Sequence, residues 1–269
     1  MKKCILLLTV ALVLTVLMAV CPASAKENKT LIVAMELAYP PFETKDQAGN
    51  PAGISVDIVN AFGAYAGYDI RVENVSWDGL IPSLQTGKAD MVISSMTITK
   101  DRQKIVDFSD PYANCHLAIL ANRNSGIKTI DDLNQPGKKL AVKTGSTGYF
   151  YATRHLPKAS VTALPDESAC VTEVAQGKAD GFLYDQLTIY RNWAKFKDTT
   201  MAVFIPFQDP EEWGIAVKKG NTKLLNELNA FLADFKKQGG YEKLTEKYMS
   251  EEKAIFDKWG FTWFFDMVH

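Results

Sequence analysis

The chain has 269 residues, a formal net charge of −1 and 47% hydrophobic residues. That length suits two lobes or one large domain. The near-neutral balance, with no basic block and no basic residues interleaved with aromatics, argues against a nucleic-acid partner.

The N-terminus begins with Lys2 and Lys3, continues as an apolar run over 5–20, and reaches Ala23-Ser24-Ala25. This is the pattern of a cleaved export leader over residues 1–25. No later stretch is long and apolar enough to span a bilayer. Cys115 and Cys170 follow the leader. An exported protein permits a disulfide between them, and two buried thiols fit the sequence equally.

Residues 31–35 read as a first strand, and 36–42 as the loop at its carboxyl end, stiffened by Pro40 and Pro41. Residues 45–53 read as a hairpin tip. Apolar residues at helical spacing place a helix over 56–65. A second strand over 69–75 ends before Trp77. A helix over 80–85 has Pro82 in its first turn and is stopped by Gly87. Met91-Val92-Ile93 is a buried strand that opens into Ser94, Ser95, Thr97 and Thr99, followed by Arg102. Hydroxyls, free backbone N–H groups and a guanidinium at the carboxyl end of a strand can hold a carboxylate. Open α/β sheets bind ligands at that end.

The second half runs in the same way. Strands are expected over 116–121, 140–142, 161–164, 181–185, 204–207 and 213–218, and helices over 130–133, 149–155, 167–176, 187–195, 222–237 and 241–249. The loop Lys143-Thr144-Gly145-Ser146-Thr147-Gly148 opens a helix whose N-terminus favours anions. Gln85-Thr86-Gly87-Lys88-Ala89-Asp90 is echoed by Gln176-Gly177-Lys178-Ala179-Asp180, each between a helix and a strand, so a βα plan is duplicated. The first copy leads to a cation, Arg102, and the second to an anion, Asp185. A ligand carrying a carboxylate and an ammonium satisfies both. Alternating strands and helices argue for parallel sheets. Crossings near 113–118 and 208–214 would make a hinge between two lobes.

Seven ordered motifs resemble those of the periplasmic amino-acid-binding proteins of bacterial ABC importers (family 3 extracellular solute-binding proteins). They are Tyr39-Pro40-Pro41-Phe42, Gly53-Ile54-Ser55-Val56-Asp57-Ile58, Trp77 with Leu80-Ile81-Pro82-Ser83-Leu84, Thr97-Ile98-Thr99 with Arg102, Asp107-Phe108-Ser109, Gly145-Ser146-Thr147, and Asp185. The resemblance runs over 31–249. It implies an α/β fold of the two-lobed periplasmic-binding-protein kind (type II), with two βα lobes joined by a two-strand hinge. Residues 26–115 and 213–269 would form the first lobe and 116–212 the second. The protein would be a periplasmic monomer, without cofactor or metal, serving a membrane permease.

In the cleft, the resemblance implies that Arg102 pairs with the ligand α-carboxylate through two bonds, assisted by Ser95, Thr97 and Thr147. Asp185 would accept from the α-ammonium. Tyr39 and Trp77 would sandwich the side chain, and Glu36 would face its tip. Ser94, Ser146, Lys143 and Tyr184 complete the candidate set. Glu36 favours a cationic tip, with Lys143 swinging out into water. If Lys143 instead reaches the same region, it would suit glutamine or another polar side chain. A cyclohexadienyl dehydratase shares this fold, but Thr188 stands after Asp185 where that enzyme carries an acid, which argues against catalysis. No Gly-x-Ser-x-Gly elbow or Walker loop occurs. His116, His155 and His269 lack metal-ligand spacing. The tail 250–269 carries Trp259, Phe261, Trp263, Phe264 and Phe265, expected to pack on the first lobe.

Overall fold

Short apolar runs bury themselves as strands, and the amphipathic runs between them cover the sheets as helices. In the computed structural model, which describes residues 29–266, they form two five-stranded sheets. The leader expected at 1–25 lies outside the described residues. Among those residues no helix is long and apolar enough to cross a membrane.

Along the chain the strands are β1 (Lys29–Met35), a small hairpin of β2 (Thr44–Lys45) and β3 (Pro51–Ala52), β4 (Tyr68–Asn74), β5 (Met91–Val92) and β6 (Val106–Phe108). Then come β7 (Ala113–Cys115), β8 (Leu117–Asn122), β9 (Lys139–Lys143), β10 (Ser160–Leu164), β11 (Gly181–Asp185) and β12 (Thr200–Val203). The chain returns through β13 (Glu211–Trp213) and β14 (Ala216–Lys218). One sheet has the order β4-β1-β5-β14-β6 and the other β10-β9-β11-β8-β12. Between them β7 and β13 pair antiparallel, with Glu211 opposite Cys115 and Trp213 opposite Ala113.

The sheets are mixed, not wholly parallel. β1 runs parallel to β4 and β5, and β9 parallel to β10 and β11. β14 is antiparallel to β5 and β6, and β8 is antiparallel to β11 and β12. Both exceptions enter their sheet directly from the hinge. Neither arrives through the helical crossover that imposes parallel pairing.

The duplicated motif performs the same task twice. Gly87 and Gly177 turn the chain at φ 73° and 72°. Asp90 then accepts from the Ile32 amide at 2.8 Å, and Asp180 from the Lys139 amide at 2.7 Å. Each aspartate ties its strand to the one beside it.

Three expectations needed correction. Residues 204–207 are irregular, and the strand lies at Thr200–Val203 instead. Pro206 has no N–H to give a ladder. The strand expected over 213–218 breaks at Gly214 and Ile215, where Ile215 N donates to Ser109 Oγ at 2.9 Å. The tail forms an unexpected helix, Ser250–Trp259, and it touches both lobes. Phe256, Trp263, Phe264 and Phe265 join the core of the first lobe. Trp259 packs on Tyr190 and Trp193, and Phe261 on Phe204, all from the second half. Arg191 donates to Glu252 at 2.6 Å and to Pro40 O at 3.1 Å, which fastens the same side. Cys115 and Cys170 are both free and buried.

A buried acid, Glu43, supports the loop after β5. It accepts from Ser55 Oγ and, at 3.1 Å, from Ser95 Oγ. Ser95 holds φ at 49°, a conformation that costs a residue with a side chain. Its amide donates to Tyr112 Oη at 3.2 Å. Burial pushes the Glu43 carboxyl from the usual 4.5 up to about 8, against the pull of the two serine hydroxyls.

Two measurements follow from this architecture. Native Glu43 retains a proton that the unfolded chain has lost, so stability falls as pH rises from about 4.5 to about 8 and then levels. Glu43→Gln removes that dependence. Chemical denaturation should find it more stable than wild type at alkaline pH, by on the order of a few kcal/mol. A variant less stable than wild type there contradicts the assignment. Phe264 is fully buried between Phe42, Trp213 and Trp263. Phe264→Ala should cost about 3–5 kcal/mol in urea denaturation, and a loss below about 1 kcal/mol would mean that the tail is not part of the core.

Candidate functional site

The carboxyl ends of β1 and β5 face those of β9 and β11 across the cleft, and every candidate residue except Lys143 lines one cavity there. The space free for water in it is about 40 Å³, room for a few waters. An amino acid enters only if the lobes part and side chains shift. A second chamber of about 450 Å³ opens on the far side of Trp77, Arg102, Thr147 and Glu211.

Arg102 lies in the short helix Lys100–Gln103, capped by Thr99, whose Oγ1 accepts from the Arg102 amide at 3.2 Å. The residue is 9% exposed. Its guanidinium donates to Thr97 O at 2.7 Å and, across the cleft, to Gly145 O at 3.1 Å. Burial lowers its pKa to about 10, although Glu211 nearby acts in the opposite direction. Trp77 turns its ring to Arg102 at 5.3 Å and to Lys143 at 5.2 Å, two cation–π contacts on one indole.

The facing lobe brings Ser146 and Thr147 to the start of the helix Thr147–His155. Ser146 Oγ caps it by accepting from the Tyr149 amide at 3.1 Å. Gly148 is required in this turn, because a Cβ there would collide with Leu183 O on β11. Thr147 Oγ1 donates to Glu211 at 2.8 Å, and Thr97 Oγ1 donates to the same oxygen at 2.9 Å. Ser94 Oγ accepts from the Glu36 amide at 3.0 Å and joins the loops after β1 and β5. The Ser95 hydroxyl is committed to Glu43.

Asp185 ends β11 and caps the next helix, Gln186–Lys195. Its Oδ1 accepts from the Leu187 and Thr188 amides at 3.0 and 3.1 Å. Its Oδ2 is buried and makes no well-formed hydrogen bond among the described residues, although the Tyr39 and Thr188 hydroxyls lie close enough to pull its pKa down. Burial pushes this carboxyl up. A cation at Oδ2 would bring it back down. Tyr39 stacks on Phe42 at 5.5 Å and meets Tyr184 edge-on at 6.0 Å, and its buried hydroxyl lies beside Asp185 and Thr188 without a well-formed hydrogen bond among the described residues.

Lys143 does not swing into water. It is 4% exposed, and its ammonium pairs with Glu36 across the cleft. A strand-end lysine buried against a facing carboxylate recovers in attraction part of what it loses in hydration. Lys143–Glu36, Arg102–Gly145 and the Thr97–Glu211–Thr147 bridge all connect opposite sides, so the cleft is closed.

Sequence reasoning missed Glu211, Glu43 and Trp213. Glu211 sits on the hinge strand, where it had read as part of a polar crossing. Strand alternation offered a signal, since Glu211 shares its face with the buried Trp213 two residues on.

The sequence matches the family described as bacterial extracellular solute-binding proteins, family 3, over residues 31–251. A probable histidine-binding protein of Neisseria gonorrhoeae is 33% identical over 240 residues, 87% of this chain and 88% of its own. Two solved structures share the fold. One is an ancestral amino acid-binding protein described as a precursor of cyclohexadienyl dehydratase. It is 38% identical, with a TM-score of 0.74, over 81% of this chain and 95% of its own. The other is an ancestral arginine-binding protein bound to glutamine. It is 35% identical, with a TM-score of 0.76, over 83% of this chain and 99% of its own. With a match over most of its length, the chain belongs to the bacterial extracellular solute-binding proteins, family 3.

Proposed function

We propose that the chain is an exported binding protein that captures an α-amino acid with a polar or cationic side chain in its cleft and delivers it to the membrane permease of an ABC importer. The observation that carries this reading is the pairing of buried opposites. Arg102 from one lobe and Asp185 from the other line a single cavity, where one Asp185 oxygen has no well-formed hydrogen bond among the described residues. A zwitterion leaves water only where both of its charges are met. Division of the lobes at 26–115 with 213–269, and at 116–212, puts one of those groups on each side of the hinge.

The Glu36–Lys143 pair lies at the side-chain end of the cleft. Side by side, a carboxylate and an ammonium offer one acceptor and one donor, which matches a primary amide. A cationic tip must displace Lys143, and the cavity supports this second option with an acid excess. Glu36, Asp185 and Glu211 line it, against Arg102 alone. The related proteins, which by their names bind histidine or arginine, or hold glutamine, span the same two chemistries.

Binding is favoured over turnover. Thr188, at the place where the dehydratase carries an acid, is 5% exposed, and it cannot deliver a proton at neutral pH. We read residues 1–25 as the export leader and the protein as periplasmic and monomeric.

In a thermal-shift screen of the standard amino acids, glutamine, arginine, lysine or histidine should give the largest rise. Lys143→Met should favour the cationic members over glutamine. An aliphatic amino acid leading in both proteins would overturn the assignment of the side-chain end. In calorimetry, Arg102→Ala should weaken binding by about 2–5 kcal/mol, because the ligand carboxylate stays buried without its partner. Arg102→Lys should also be impaired, since a point charge cannot reproduce the planar fork. Affinity within twofold of wild type in either variant would place the pocket elsewhere.

A further inference from the structure

We infer that Glu211, on the hinge strand β13, competes with the ligand's carboxylate for the Thr97 and Thr147 hydroxyls and so limits the affinity of the cleft. The inference rests on the zwitterion reading above and adds a residue that sets how tightly a carboxylate is held.

One oxygen of Glu211 accepts from Thr97 at 2.9 Å and from Thr147 at 2.8 Å. Thr97 comes from the β5 side and Thr147 from the facing side. A single side-chain oxygen therefore joins both halves of the cleft, the task expected of a bound carboxylate. Each threonine hydroxyl has one proton to donate. While Glu211 holds both, a ligand carboxylate receives neither. The second oxygen of Glu211 accepts from Gln208 Nε2 at 2.7 Å, which anchors it from its own segment.

Arg102 is not exhausted in the same way. Two of its five N–H groups serve Thr97 O and Gly145 O, which leaves donors for a ligand. The contested groups are thus the hydroxyls, and the contest is between two anions. Two carboxylates cannot share these donors at close range without mutual repulsion. Glu211 has a place to go, since it also lines the chamber of about 450 Å³ beyond Arg102. Arg154 lines that chamber too, at 3.0 Å from Asp101.

The test is calorimetric titration of L-glutamine and L-arginine, and of their carboxamides, into wild type, Glu211→Gln and Glu211→Ala. Melting without added amino acid first establishes that the variants are folded. Glu211 is partly exposed, so neither change opens the core. Glu211→Ala should bind the free amino acids about tenfold more tightly than wild type, the value of one charge-assisted hydrogen bond, and Glu211→Gln, whose amide oxygen still accepts from the threonines, should gain less. The carboxamides, which bring no second anion, should gain much less. Unchanged or weaker binding of the amino acids by Glu211→Ala would overturn the inference. So would an equal gain for the carboxamides, which would mark a general loosening of the cleft. If neither amino acid binds wild type or variant, the zwitterion reading itself has failed, and the inference falls with it.

Discussion

The cleft is organised by the burial of one guanidinium. Arg102 keeps its charge where water is nearly excluded, and its two bonded carbonyls come from opposite lobes. Neutral carbonyls satisfy its geometry but do not cancel its charge. The shortfall calls for an anion nearby, and Glu211 and a ligand carboxylate are the two candidates. Across the cavity Asp185 has the complementary problem. Its two helix-capping bonds stabilise one oxygen and leave the other buried near the Tyr39 and Thr188 hydroxyls, without a well-formed hydrogen bond among the described residues. On the proposed reading the site is a pair of charges held at a distance, and a molecule that carries both opposite charges would resolve them together.

The fold supplies the distance. Each lobe ends its parallel strands at the cleft, where loops can present hydroxyls and helix N-termini. Paired strands and cross-cleft contacts join the lobes at the cavity. The tail complicates this simple hinge. Its aromatic rings pack on the first lobe and reach Tyr190, Trp193 and Phe204 of the second, away from the cavity. Its residues past 251 lie beyond the family match.

Much of this was legible in the sequence, because local rules decide it. The echo of Gly-Lys-Ala-Asp marked two equivalent turns, and both aspartates do the same work. Arg102 and Asp185 stood at the ends of strands, where topology makes ligand sites. What was not legible depends on partners far along the chain. Lys143 read either as a side chain reaching water or as one reaching the region of Glu36, and the sequence could not decide, because the distance between the two depends on how the lobes face each other. Glu43 follows Tyr-Pro-Pro-Phe as an ordinary loop acid, and only the folding of Ser55 and Ser95 around it buries it. The two antiparallel strands were misjudged because alternation of elements does not reveal which strands arrive directly from a hinge.

The claim at the centre is that both charges of an amino acid are read, one by each lobe. The direct measurement is calorimetry of the tightest-binding amino acid beside two analogues, one without its α-carboxylate and one without its α-ammonium. Each analogue leaves one buried protein charge without its partner. The account predicts that each loses about a hundredfold or more in affinity. An analogue that binds within a few fold of the parent would show that one of the two charges is not recognised, and would contradict the account.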